Sequence, residues 1–323
     1  MKPCALRKPG NTGAAALNIG RQVILRPGVQ KRYVELTDPT LADQRTDLQR
    51  LRDAVDDLTL NPDLHALRRL PTVLRQSDFK VTAVVVDEVL IDVEPGDTTG
   101  SRHAIAYDLG TTTVVATLLD LETGTPVAVA SMLNKQQPFG GDVITRISAT
   151  MMDPEALGRL TQLARQTLSE LAGEVLDEGG ISPQSVYEVA LAGNATMTAL
   201  LLGIDPEPLG VAPFIQVSAD WPVLHASDLG IDVHPGARAT IFPALGAYVG
   251  GDIVAGMLAR GLDRGKRGGL FIDGGTNRGG APRGPPAWGH EVEGGPPRHP
   301  PAPEKTGKTP PPAPRPPRHI ERR

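Results

Sequence analysis

Two short loops of one kind, 165 residues apart, constrain this chain more than any other feature. Asp108-Leu109-Gly110-Thr111-Thr112-Thr113 follows the strand-like run Ala104-Ile105-Ala106-Tyr107, and Asp273-Gly274-Gly275-Thr276-Asn277 follows Leu270-Phe271-Ile272. In each, a buried strand delivers a carboxylate and then a glycine, whose backbone lets N–H groups and a nearby hydroxyl approach a phosphate. The aspartate can hold Mg²⁺ through water, since Mg²⁺ takes oxygen ligands and keeps part of its hydration shell. One such loop is commonly only a hairpin turn. A nucleotide gripped between two related halves needs one loop from each. Asp108 and Asp273 are therefore candidate catalytic carboxylates, Asp108 also being the candidate Mg²⁺ holder. Gly110, Thr111, Thr112, Gly275, Thr276 and Asn277 are candidate phosphate contacts.

The 323 residues suggest two or three domains, and the net charge of −4 gives the whole chain no electrostatic reason to seek nucleic acid. No apolar run reaches the roughly 18 residues needed to cross a bilayer. The first residues carry no continuous apolar segment of the signal-peptide type, so no membrane and a cytoplasmic place are expected. The sequence has one cysteine, Cys4. A [2Fe–2S] cluster of ferredoxin type needs four thiolates, so this chain cannot hold one alone, and it cannot form a disulfide within itself. The seven histidines show no zinc-ligand spacing.

Residues 1–24 lack periodicity and are expected to be flexible, with 25–45 an extended linker in which Pro27 and Pro39 forbid a long helix. A small α+β domain follows over 46–100. Leu48, Leu51, Val55 and Leu58 fall at helical spacing behind the capping candidate Thr46, and Leu64, Leu67 and Leu70 continue on a second short helix. Val84-Val85-Val86 and Val89-Leu90-Ile91 flank Asp87-Glu88 as a hairpin. From 103 the order is three strands, a helix capped by Asp142, a longer helix after Asp153-Pro154, a strand over Val186–Ala192, then Gly193-Asn194 and a helix. This β-β-β-α-β-α order is the ribonuclease-H-like half that actin-like ATPases repeat, and Leu270–Asn277 reads as the start of the second half. The fold class is α/β, with an actin-like ATPase domain over 103–277 whose second lobe is incomplete.

Residues 278–323 change character. They hold Pro285-Pro286, Pro296-Pro297, Pro310-Pro311-Pro312 and Pro316-Pro317, carry a net charge of +5, and have almost no large apolar side chain. Such a segment cannot bury enough surface to offset chain entropy. It reads either as a disordered tail, out-of-frame translation being one origin, or as a basic polyproline ligand for a partner.

Asp108 to Val115, Asn134, and Gly141-Asp142-Val143-Ile144-Thr145-Arg146-Ile147 form one set of residues. Ala192-Gly193-Asn194-Ala195-Thr196-Met197, Leu201-Leu202-Gly203-Ile204-Asp205-Pro206, and Phe242-Pro243 to Gly250-Gly251-Asp252 extend it. Together they resemble the ATPase-like domain of the reductive activators of corrinoid proteins, relatives of actin, sugar kinases and heat-shock chaperone ATPases. Val29–Leu36 with Asp43 is similar to that family's linker and 46–97 to its middle domain, so the resemblance covers about Leu25 to Asn277. It implies ATP and Mg²⁺ as cofactors, and a corrinoid protein as partner whose Co(II) is reduced to Co(I) to serve a methyltransferase. It implies a ferredoxin-type [2Fe–2S] domain, which the single cysteine denies to this chain, so a separate ferredoxin-type electron donor is expected. A homodimer is compatible with it. Where the family continues with Gly-Glu, this chain has Arg278-Gly279. The lobe that holds adenosine is then expected to be lost, and the chain to be inactive alone.

Gly193 and Asn194 are further cofactor-binding candidates, because open α/β sheets place ligands at strand C-terminal ends; a strand-to-helix cap is the alternative. Asp142 reads first as a helix cap, with the resemblance drawing it toward the cleft, and Asp252 reads equally as a helix cap or as a residue that orients water or metal. Asp232-Val233-His234-Pro235-Gly236 is close to a corrinoid-binding Asp-x-His-x-x-Gly pattern but has its glycine one residue early, which leaves a surface turn as the other reading. Three functions compete: an ATP-dependent reductive activator, a small-molecule kinase of the same superfamily, and a non-catalytic module or remnant.

Overall fold

The computed structural model describes residues 28–262, 270–274 and 278–282. The expected flexible N-terminus and most of the expected tail lie outside them. The first domain is a sheet of β1 (Val29–Glu35), β2 (Asn61–Pro62), β3 (Lys80–Val86) and β4 (Val89–Pro95) in the order β1-β3-β4-β2, with helices α1 (Asp47–Ala54) and α2 (Leu64–Gln76). Thr46 accepts from the Gln49 N–H and starts α1, as its position predicts. Asp87 and Glu88 take φ of 47° and 66°, the paired left-handed geometry of a two-residue hairpin, and they join β3 to β4 where expected.

One expectation gains detail here and one needs correcting. The stretch foreseen as a linker contains β1, which pairs antiparallel with β3 over all seven of its residues and buries Val29 and Lys31. Pro27 and Pro39 flank this strand and do not interrupt it. The apolar face of α2 is also displaced. Leu64 and Leu67 are 59% and 40% exposed, while Ala66, Leu70, Val73 and Leu74 are buried. The helix runs on past Pro71 to Gln76, so its last turns choose the stripe that faces the sheet.

The second domain opens with the meander β5 (His103–Leu109), β6 (Thr113–Asp120) and β7 (Pro126–Leu133), followed by α3 (Val143–Met152) and α4 (Ala156–Gly179). Then come β8 (Val186–Gly193), α5 (Ala195–Leu202), the one-turn α6 (Glu207–Gly210), β9 (Leu224–His225), β10 (Arg238–Ile241) and α7 (Gly251–Ala259). The sheet order is β7-β6-β5-β8-β10-β9, with β5, β8 and β10 mutually parallel. Leu160, Leu168, Leu171 and Val175 of α4 bury against Ala116 and Leu118 of β6 and against Met197 and Leu200 of α5. Gly180 closes α4 in the left-handed conformation at φ 65°, which glycine adopts without steric cost. β11 (Leu270–Gly274) and β12 (Arg278–Pro282) form a separate antiparallel pair. Residues 278–282, expected to open an unstructured tail, are thus a strand; its pairing uses backbone groups, which an apolar count does not register.

The two domains meet through buried polar groups. Lys31 lies 2.8 Å from Glu94 and donates to the Tyr187 hydroxyl and the Ser101 carbonyl, each at 3.0 Å. Tyr187 donates to Glu94 at 2.5 Å. Desolvation lowers the Lys31 pKa below its ordinary value against the pull of Glu94, and burial raises the Tyr187 phenol. Removing one partner of a buried pair leaves the other uncompensated, at about 3–5 kcal/mol. Lys31→Met is expected to lose stability on that scale in denaturant melts, and a loss within the scatter of surface variants would show the pair to be idle.

Glu188 of β8 is half-buried beneath the β3–β4 turn, and its pKa is raised first by burial and then by Asp87. A carboxyl whose folded pKa is raised favours folding while protonated, and that contribution is lost as pH rises through the folded pKa. Glu188→Gln is therefore expected to raise the melting temperature at about pH 7 and to give no gain at about pH 4. Equal shifts at both pH values would contradict this.

Candidate nucleotide site

β5 and β8 run side by side to their C-terminal ends, with Asp108 opposite Ala192 and Leu109 opposite Gly193, and Ile241 of β10 stands opposite Leu191. Three strand ends therefore open on one edge of the sheet, where parallel α/β sheets bind ligands. Asp108 ends β5 with its side chain exposed at this edge, and Gly110, Thr111 and Thr112 make the turn into β6.

Glycines let the segments touch backbone to backbone. A Cβ on Gly110 would fall 2.2 Å from the Thr113 carbonyl oxygen. One on Gly250 would fall 2.5 Å from Asn194 Cα and 2.7 Å from the Gly193 oxygen, and one on Gly251 2.6 Å from the Phe242 oxygen. The first loop, the β8–α5 turn and the 250–252 turn are thus one contiguous surface, and larger side chains at these glycines would push it apart. Asn194 is the strand-to-helix cap: its Oδ1 accepts from the Met197 N–H at 2.9 Å and caps α5, and its Nδ2 donates to Thr111 Oγ1 at 3.1 Å, which ties the cap to the first loop.

Asp142 caps α3, accepting from the Thr145 N–H at 2.8 Å and its hydroxyl at 2.9 Å, and these bonds hold its carboxyl below the ordinary range. Asp252 stands in the first turn of α7, where it accepts from the Ile253 N–H at 2.9 Å. Asp273 lies in β11 opposite Gly279; Gly275, Thr276 and Asn277 fall outside the described residues.

Behind the first loop sits a cluster given no role from sequence. Arg146 is fully buried and donates from Nη2 to the Thr111 carbonyl at 2.6 Å, from Nη1 to Gln136 Oε1 at 2.9 Å and from Nε to the Gly140 carbonyl at 3.0 Å. Asn134 donates to the Gly110 carbonyl at 2.9 Å, and its Oδ1 accepts from the Gln136 N–H. Burial pushes the Arg146 guanidinium down to about 10, with Asp142 opposing. A signal was available in the sequence: Val143, Arg146 and Ile147 share one helix stripe, so a charge stands where an apolar residue belongs.

His234 is corrected from its surface-turn reading. It is buried at the domain seam rather than in a surface turn, and its Nε2 is 3.0 Å from Asp92 Oδ2. The Gly236 N–H donates to its Nδ1 at 3.0 Å, which places the ring proton on Nε2 facing Asp92. His65, Asp92 and His234 keep their ligand-type atoms within 4.8 Å of one another. That tautomer and the Val93 N–H on Asp92 Oδ1 hydrogen-bond His234 and Asp92, and Arg69 Nε lies 2.9 Å from the same oxygen as an ion pair; a metal-bound imidazole would instead donate through its other nitrogen. No helix among the described residues is long and apolar enough to cross a membrane.

A five-stranded core in the order of a ribonuclease-H-like half, with an Asp-Gly-Thr loop on its parallel edge, defines a lobe of the actin-like fold. The sequence model described as the RACo middle region matches residues 103–265, and that described as the RACo linker region matches 18–100, so 46–97, expected to be the family's middle domain, belong to its linker region; the chain belongs to the RACo family. Corrinoid activation enzyme RamQ of Eubacterium limosum is 34% identical over 247 residues, which are 76% of this chain and 41% of that protein. A solved structure of a reductive activator for corrinoid, iron–sulfur protein superposes with a TM-score of 0.75 at 33% identity, covering 81% of this chain and 43% of that one. The chain spans less than half the length of either relative.

Asn194→Ala removes the cap of α5 and the link to Thr111 together. A loss of about 1 kcal/mol is expected in denaturant melts, with Asn194→Ser, which keeps a capping oxygen, retaining most of it. Equal losses in both variants would separate the residue from its capping role.

Proposed function

We propose that this chain acts in the ATP-dependent reductive activation of a corrinoid protein, Co(II) to Co(I), in support of a methyltransferase. The observation that carries the reading is the convergence of Asp108, Gly110–Thr112, Gly193-Asn194 and Gly250–Asp252 on one sheet edge, in glycine contacts that a Cβ would break. The names of the two relatives support the corrinoid partner. Asp108 would hold Mg²⁺ through water, while the loop N–H groups and Thr111, Thr112 and Asn194 would receive the phosphates. Asp273, Gly275, Thr276 and Asn277 belong to this proposal as the second phosphate loop.

A [2Fe–2S] cluster does not fit this chain, because one cysteine cannot supply four thiolates. The electron is therefore assigned to a ferredoxin-type [2Fe–2S] group outside residues 1–323. The described residues hold one wall of the cleft, and closure of two lobes normally supplies adenosine contacts and excludes water. Weak nucleotide binding by residues 1–323 follows, in the range of about 1 mM, each tenfold being about 1.4 kcal/mol.

Calorimetry with Mg·ATP at millimolar concentration tests the reading. Saturable binding that requires Mg²⁺ and is lost in Asp108→Ala is expected. Unchanged binding in Asp108→Ala would make that carboxylate structural, and the absence of any saturable binding would remove the nucleotide from the proposal.

A further inference from the structure

We propose that Arg146 is the positioning residue of the first phosphate loop, turning its carbonyls inward so that the Thr111 and Thr112 N–H groups face the cleft, and placing a buried positive charge beneath them. The inference rests on the reading of this loop as a phosphate site and goes beyond it by assigning what presets the loop.

Peptide planarity carries the first half. In a trans peptide the C=O and the following N–H point in opposite directions. The Gly110 carbonyl is held by Asn134 Nδ2 and the Thr111 carbonyl by Arg146 Nη2, both on the buried side. The N–H groups of Thr111 and Thr112, which complete those two peptides, are thereby directed away from the buried shelf. The Thr112 carbonyl is also anchored there, accepting from the Asn134 backbone N–H at 2.8 Å. Gln136 ties the two anchors to each other. Successive backbone N–H groups held in one direction are an anion cradle.

Charge carries the second half. Every oxygen that Arg146 contacts is neutral: two carbonyls and an amide. Among the described residues no carboxylate lies within ion-pair distance of it, and Asp142 acts only from farther away. A buried cation without a counter-charge is costly to fold around. An anion on the far face of the loop is the counter-charge this arrangement lacks. Lysine cannot replace the planar fork that serves three oxygens and the Met197 sulfur at once.

The competing account is that Arg146 only fastens α3 to the sheet. To separate the two, the full chain, Arg146→Lys and Arg146→Met are compared by thermal melting, Mg·ATP calorimetry at two salt concentrations, and ¹⁵N amide spectra. Arg146→Lys is expected to fold, to weaken Mg·ATP binding by about tenfold or more, and to keep its salt dependence; Arg146→Met is expected to lose affinity and much of the salt dependence. In the parent protein the Thr111 and Thr112 amides are expected to shift and to slow in exchange on adding Mg·ATP. Parent-like affinity in a folded Arg146→Lys overturns the inference. If neither variant folds, the parent amides decide: unresponsive Thr111 and Thr112 in a protein that binds Mg·ATP also overturn it. A parent that binds no Mg·ATP sinks the phosphate-site reading itself, a separate outcome.

Discussion

β5 and β8 pair in parallel from Ala104 opposite Glu188 to Leu109 opposite Gly193, and the placing of every candidate residue depends on that register. The two strands are separated in sequence by two helices and two further strands. Their alignment alone puts the Asp108 loop beside the Gly193-Asn194 turn. A parallel crossover of this kind buries both strands between layers, so the only backbone left open to a ligand is at the strand ends. The edge is then finished by glycines that let three turns meet without side chains between them.

Polar groups are buried in two places, and they do different work. At the domain seam Lys31, Glu94 and Tyr187 satisfy one another across the boundary, as do Asp92 and His234. Desolvation is offset there by partners of opposite charge or by a defined proton, so this network fixes how the domains sit. Under the first loop, Arg146 satisfies its donors with neutral oxygens and leaves its charge uncompensated within the lobe. Satisfied hydrogen bonds with unsatisfied charge suit a site that waits for an anion.

Membership in the RACo family and the fold agree with this picture, and the shared region lies where the chemistry is proposed. The matches to the linker and middle regions meet between residues 100 and 103, at the junction of the small domain with β5. The chain's relatives are more than twice as long as the matched region, so partners and turnover belong to the proposal and not to the observed lobe.

Local patterns settled much of the structure in advance. The first strand–Asp–Gly turn, the Thr46 and Asp142 caps, the Asp87-Glu88 hairpin and the three-strand meander depend on neighbours a few residues apart, and each stands where the sequence placed it. The tertiary structure alone decided the rest. β1 became a strand because β3 offered it an edge, Leu64 and Leu67 turned outward because the later turns of α2 face the sheet, and His234 could be buried because Asp92 accepts a hydrogen bond from its Nε2. Arg146 gives the reason in one residue. Its position on an apolar stripe was written in the sequence, but the carbonyls that make its burial tolerable belong to loops up to 35 residues away, and only folding brings them within hydrogen-bond reach.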